Sequence, residues 1–236
     1  VDLLEVFVGT SGWMYDWNSD GSLDWYLVNS GLNAVELNAS FYRFPFPSQV
    51  LGWSRKTTAI KWAVKVHRSI THLRKLSDPA LETWRRFRKL FQPLDGRVDF
   101  YLFQMPPNFS ASEANLARVR RFFTESGLGR RFAIEFRHES WFSRELAEEI
   151  SGIGATYVSI DSPVKTFIHS SGGVVYLRMH GRSGWYAHDY SLDELSELAD
   201  TILSLGPRAV YVFFNNDHWM LDNARLMLDI LRRRSS

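Results

Sequence analysis

The sequence contains no cysteine. Disulfides, thiolate nucleophiles and cysteine-ligated metals are excluded by that alone. It also lacks any apolar run approaching the roughly 18 residues that a membrane helix needs. Its start has no basic–apolar–small order of a secretory leader. The chain begins at Val1 rather than Met, which leaves a trimmed terminus open, and the expected compartment is the cytoplasm. No GxGxxG follows the first predicted strand and no GxxxxGK(S/T) occurs anywhere, so the usual nucleotide cradles are missing and no cofactor is expected. Neither HxH nor HExxH spacing is present, and no metal site is expected.

What is present is an ordinary globular composition. The chain has 236 residues, of which 45% are hydrophobic and 23% charged, enough to bury a sizeable core. Aromatics make up 15%, including nine Trp, which raises the question of whether some line a pocket. Net charge is +2, unevenly spread: Arg74, Lys75, Arg85, Arg86, Arg88, Lys89 and Arg97 cluster, then Arg118, Arg120, Arg121, Arg130 and Arg131, then Arg232, Arg233 and Arg234. Such runs are read first as solvated outer helix faces and only second as a nucleic-acid surface.

Strand-like runs fall near 6–10, 34–38, 61–66, 98–104, 131–136, 155–160, 174–179 and 209–214, rich in Val, Ile, Tyr and Phe, as in strands buried on both faces. Amphipathic stretches lie between them. Asp78 as N-cap and Pro79 at the first helical position open one helix, with Leu81, Trp84, Phe87 and Phe91 on one face. Ser110 with Glu113, and Ser191 with Glu194, fit the capping box. Leu195, Leu198, Ile202 and Leu205 recur at helical spacing, as do Met220, Ala224, Met227 and Leu231. Shorter helices are expected near 22–30, 47–57 and 141–150. Eight alternations without a linker predict a single domain over 1–236, a (β/α)8 barrel of the TIM type, which needs about 200–250 residues. Residues 161–173 carry no helical pattern, so no regular helix is expected between the sixth and seventh strands. An open doubly wound sheet is the alternative.

Polar residues recur at strand C-termini, often two apart and hence on one face: Glu36 and Asn38, Lys65 and His67, Glu135 and Arg137, Ser159 and Asp161, Arg178 and His180, with Gln104, Asn215, Asn216 and Asp217 besides. In barrel enzymes the working residues come from these ends. A buried polar plug is the competing account, since Glu36, Glu135 and Asp161 balance Lys65, Arg137 and Arg178. Aromatics flank the same positions: Trp13, Tyr15, Trp17, Phe41, Tyr42, Trp141, Trp185, Tyr186, Tyr190 and Trp219.

The segments GTSGW (9–13), ELNASFYRFP (36–45), FQMPPNF (103–109), EFRHESW (135–141), IDSP (160–163), YLRMHG (176–181), WYAHDYS (185–191) and FFNNDHWMLDNARLM (213–227) resemble the YecE-like family, domain of unknown function 72. The resemblance implies a TIM-like barrel. It places the family's patterned residues on Glu36, Asn38, Tyr42, Gln104, Glu135, Arg137, His138, Asp161, Arg178, His180, Asn215, Asn216 and Asp217.

Three chemistries fit this set. In the first, an anionic small molecule, a phosphate ester or carboxylate, is held by Arg137, Arg178 and Lys65, with Glu36, Asn38, Tyr42, Gln104, Asn215 and Asn216 around it. His180 or His67 then moves a proton, oriented by Glu135 or Asp161. In the second, Glu36, Glu135, Asp161, His67 and His180 hold a metal for phosphodiester hydrolysis. In the third, the protein binds a nucleic acid or polyanion without catalysis. The first is preferred, because interleaved cations compete with a metal. Arg137, Arg178 and His180 are expected to form its anion-binding core, with Asp161 between them.

Overall fold

A computed structural model describes residues 3–56 and 59–235. Val1, and Thr57 at the end of one expected helix, lie outside the described residues. In chain order the elements are β1 (Glu5–Thr10), α1 (Leu23–Asn29), β2 (Ala34–Leu37), α2 (Pro47–Lys56), β3 (Lys61–Lys65), α3 (Asp78–Leu90), α4 (Gln92–Asp95), β4 (Val98–Gln104), α5 (Glu113–Ser126), β5 (Phe132–Glu135), α6 (Arg144–Gly152), β6 (Thr156–Tyr157), β7 (Ser159–Asp161), β8 (Thr166–Phe167), β9 (Val174–Met179), α7 (Leu192–Ser204), β10 (Ala209–Phe214) and α8 (Met220–Arg234). Two compact units result: Val1–Glu36 with Ala59–Lys61 and Val158–Ser236, and Leu37–Thr58 with Trp62–Tyr157.

In the first unit, β1, β10, β9 and β7 are parallel neighbours, and β8 turns back antiparallel on β7. Val8, Leu177, Met179, Val212 and Phe214 pack with Leu195, Leu198 and Ile202 of α7 and Met220, Ala224, Met227 and Leu231 of α8. These are the stripes that the helical spacing predicts. Leu205 is the exception: it falls past the end of α7 and is exposed. Ser191 and Glu194 form the expected capping box. Gly9 is required because a Cβ there would collide with the Ala34 carbonyl, where β1 and β2 approach.

In the second unit, β3, β4, β5 and β6 run parallel. Their core is aromatic: Trp84, Phe87 and Phe91 of α3 and its end meet Tyr101, Phe103, Phe122 and Phe132 through ring contacts of 4.3–6.3 Å. Two helix starts differ from expectation. Ser112, not Ser110, caps α5, its side chain accepting from the Asn115 amide. Ser77 precedes α3, so Asp78 is its first residue and not its cap.

The expected sixth strand is divided at Val158, with β6 pairing to β5 and β7 to β9. Between β7 and β9 the described residues contain no helix, only the short β8 hairpin. That follows from a connection too short and too rich in Ser, Pro and Gly for helical periodicity.

Candidate functional site

The strand ends of the first unit hold two ion-pair networks. Tyr176 and Arg178 lie two apart on β9 and so share a face. Both reach Glu36 at the end of β2. The Tyr176 hydroxyl donates to Oε2 at 2.6 Å, and Arg178 donates from Nη2 to Oε1 at 2.6 Å and from Nε to both oxygens at 3.1 Å. Ser11 adds a hydroxyl at 2.7 Å. Glu36 and Arg178 are fully buried. Burial opposes the charge on Glu36, but Arg178, Tyr176 and Ser11 outweigh it and hold the carboxyl below its ordinary value.

Asp161, fully buried at the end of β7, accepts from Thr166 Oγ1 at 2.6 Å, from Arg182 Nε at 3.1 Å and from the Tyr190 hydroxyl at 2.6 Å. The Tyr190 oxygen in turn accepts the Gly181 amide at 2.9 Å. Tyr190 is therefore an internal strut. Arg182 is thus one guanidinium partner of Asp161, as Arg178 is of Glu36, and the His180 amide donates to the Asp161 carbonyl at 2.7 Å. His180 is buried, its ring 5.6 Å from Trp185 and 5.8 Å from Tyr186, with Asn215 Nδ2 3.4 Å from its Nδ1. Asn216 is buried too, its Nδ2 donating to the His188 carbonyl at 2.7 Å and to Asn223 Oδ1 at 2.8 Å. It braces the 185–191 loop.

The second unit gathers cations. Between Glu36 and Asp78 the sequence has no Asp or Glu, while Arg43, Lys65, Arg68, Arg74 and Lys75 all fall there. Lys65, at the end of β3, places its ammonium 4.1 Å from the centre of the Phe41 ring. The edges of that ring meet Tyr42 and His72, with centroids 5.0 and 4.9 Å away. Tyr42 is 64% exposed. His72 lies on a π-helical turn, Ser69–Leu73, followed by Lys75 and Leu76 at φ values of 43° and 57°. Left-handed backbone at two successive non-glycine residues is strained, and strain of this kind gathers at functional sites. Burial lowers the His72 pKa to about 4, assisted by the charges of Lys65, Arg137, Arg68 and Lys75.

Arg137 donates its Nε to the buried Glu135 carboxylate and keeps 11% of its side chain exposed. Gln104 is buried, its amide donating to the Met105 carbonyl at 3.1 Å. The Asn38 Oδ1 is buried without a hydrogen-bond partner. His67 bonds Ser69 through Nδ1 at 2.8 Å, and burial and Arg68 lower its pKa. His138 binds Ser140 in the same manner, as the cap of a short turn.

Among the described residues, no three His, Asp or Glu side chains are grouped to hold a metal ion, and no helix is long and apolar enough to cross a membrane. Sequence reading missed His72, Arg68 and Arg182. The acid-free stretch from 37 to 77 was the signal for the first two, whereas Arg182 lies one residue past the strand-end segment and had none.

The fold class comes first from solved structures. A DUF72 family protein from Thermotoga maritima is 27% identical, with 98% of this chain and 100% of that one covered at a TM-score of 0.80. A xylose isomerase domain containing protein from Salmonella typhimurium, at 13% identity, shares the fold alone, with 87% of each chain covered and a TM-score of 0.54. The fold is TIM-like α/β. The family model "Protein of unknown function DUF72" matches residues 7–235, and the chain belongs to that family. The UPF0759 protein YunF of Bacillus subtilis is 25% identical, covering 96% of this chain and 94% of that protein.

Proposed function

We propose that the second unit binds an anionic small molecule, a phosphate ester or carboxylate, on the cations around His72. The observation that carries this reading is the His72 environment: one half-buried imidazole, kept neutral near pH 7 by burial first, has four cations acting on it as well. An anion seated there relieves that repulsion. Lys65 and Arg137 supply charge from the strand ends, and Arg68 and Lys75 supply it from the strained turn. Tyr42 offers an exposed ring for an apolar part of the ligand, and the unpartnered Asn38 Oδ1 accepts a donor. Arg178 belongs to a different role: its guanidinium is buried against Glu36 and serves as structure.

Calorimetric titration with inorganic phosphate tests the reading. Saturable binding that weakens with salt is expected, reduced several-fold in Arg68→Ala, whose side chain is exposed and whose loss leaves the fold intact. Phosphate binding that is absent, or unchanged in Arg68→Ala, refutes it.

A further inference from the structure

The loop after β9 carries a second constellation, in the first unit and independent of the cation cluster. The ring of His188 is engaged at both nitrogens. Ser183 faces Nδ1, with Oγ at 2.9 Å and its backbone amide donating at 3.2 Å. Glu194 faces Nε2, with its two oxygens at 3.0 and 3.2 Å. An amide can only donate, so Nδ1 is the acceptor and the proton sits on Nε2, bonded to the carboxylate. The Ser183 hydroxyl then donates to Nδ1 as well.

We propose that Ser183, His188 and Glu194 form a nucleophilic triad that hydrolyses a small carboxylic ester, with Arg182 recognising an anionic group on the substrate.

The three side chains are held from several directions. Glu194 accepts the Ser191 amide at 2.8 Å in the capping box of α7, and Arg182 Nη1 lies 3.9 Å from it. Burial opposes its charge, but the Ser191 amide, His188 and Arg182 outweigh it and keep the carboxyl below the ordinary value. The His188 carbonyl is fixed by the buried Asn216, and its ring edge rests on Tyr190, with centroids 4.7 Å apart. Gly181 has φ +99°, and a Cβ there would stand 2.9 Å from the His188 Cβ, so only glycine lets the loop close this tightly. Tyr186, in the same loop, holds a left-handed φ of 64°. Ser183 is exposed, as a nucleophile must be. His67 and His138 show the contrast. Each uses Nδ1 to cap the serine two residues later, a local turn. His188 instead reaches back five residues and has a carboxylate on its far nitrogen.

Roles, rather than sequence order, define such a triad. Here Nδ1 takes the part that Nε2 plays in the serine proteases. Ser183 Oγ attacks the ester carbonyl while its proton passes to Nδ1. The C–O bond to the alcohol breaks, and the alcohol leaves with that proton. Water then attacks the acyl-serine, giving its proton to Nδ1, and the acid departs as Ser183 recovers its hydrogen. Water is the only co-reactant. Glu194 is a positioning residue that orients the ring through Nε2 and stabilises the imidazolium formed when Nδ1 takes the proton. Arg182, half-buried, also lines an open groove of about 570 Å³ with Lys165, Thr166, Glu197 and Thr201, room for the anionic part of an ester.

The test is labelling of the full chain with a fluorophosphonate, read by intact mass and peptide mapping. One adduct on Ser183 is expected. Ser183→Ala should lose it, and His188→Gln should form it about a hundredfold more slowly or worse. Glu194→Gln should slow it too and displace the pH profile of labelling, with Glu194→Asp restoring part of the rate, a pattern that a merely structural brace would not give. 4-Nitrophenyl hemisuccinate should be hydrolysed faster than 4-nitrophenyl acetate. No adduct, an adduct elsewhere, or an unchanged rate in His188→Gln overturns the triad. Ser183 is exposed, so its alanine variant keeps the assay decisive if His188→Gln fails to fold.

Discussion

Arg178 and Lys65 both end a buried strand, yet they sit in opposite electrostatic settings. Arg178 makes three bonds to one carboxylate that also receives a tyrosine and a serine hydroxyl. Lys65 lies on an aromatic face and, with Arg68, Lys75 and the Glu135-paired Arg137, adds to the burial that depresses one histidine. A matched buried pair is self-sufficient, and breaking it is costly. A collection of like charges is in tension and gains from an incoming anion. The first arrangement builds a scaffold, while the second is where we propose that a ligand binds.

The largest effect should come from breaking the scaffold. Arg178→Ala leaves Glu36 charged and buried, and should cost about 3–5 kcal/mol in chemical denaturation. A loss under 1 kcal/mol would mean that Glu36 is satisfied without it. Next, Tyr190→Phe removes the hydroxyl joining Asp161 to the Gly181 amide, and should cost about 1.5–3 kcal/mol by the same measurement. The smallest change belongs to the cation region: Arg68→Ala should alter stability by no more than about 0.5 kcal/mol while weakening phosphate binding.

Acid should act on the two regions in separate windows. The His72 pKa is lowered in the folded protein, to about 4 from an ordinary value near 6.5. The unfolded chain therefore takes up the proton first, and stability is lost as pH falls from about 6.5 toward 4. The Glu36 carboxyl is also lowered, so its contribution persists above the ordinary carboxylate value and is lost as pH falls below it. His72→Gln should flatten the upper window alone. An unchanged slope in that variant would place the upper titration on another group.

The strands and the long amphipathic helices were legible because burial imposes periodicity, as the stripes on α7 and α8 illustrate. The absent helix was legible for the converse reason. Strand-face arithmetic rightly placed Arg178 beside an acid, but it could not choose which one. Asp161 and Glu36 are both within reach of such a rule, and the choice depends on Arg182, whose loop conformation rests on Gly181. His72 was hidden because a π-helical turn follows neither a helical nor a strand period.

The central contention is that the cations around His72 await an anion. NMR titration of the His72 ring, with and without inorganic phosphate, tests it most directly. The account predicts a pKa near 4 that climbs saturably toward the ordinary histidine value as phosphate is added. A His72 titration that phosphate does not move would contradict it.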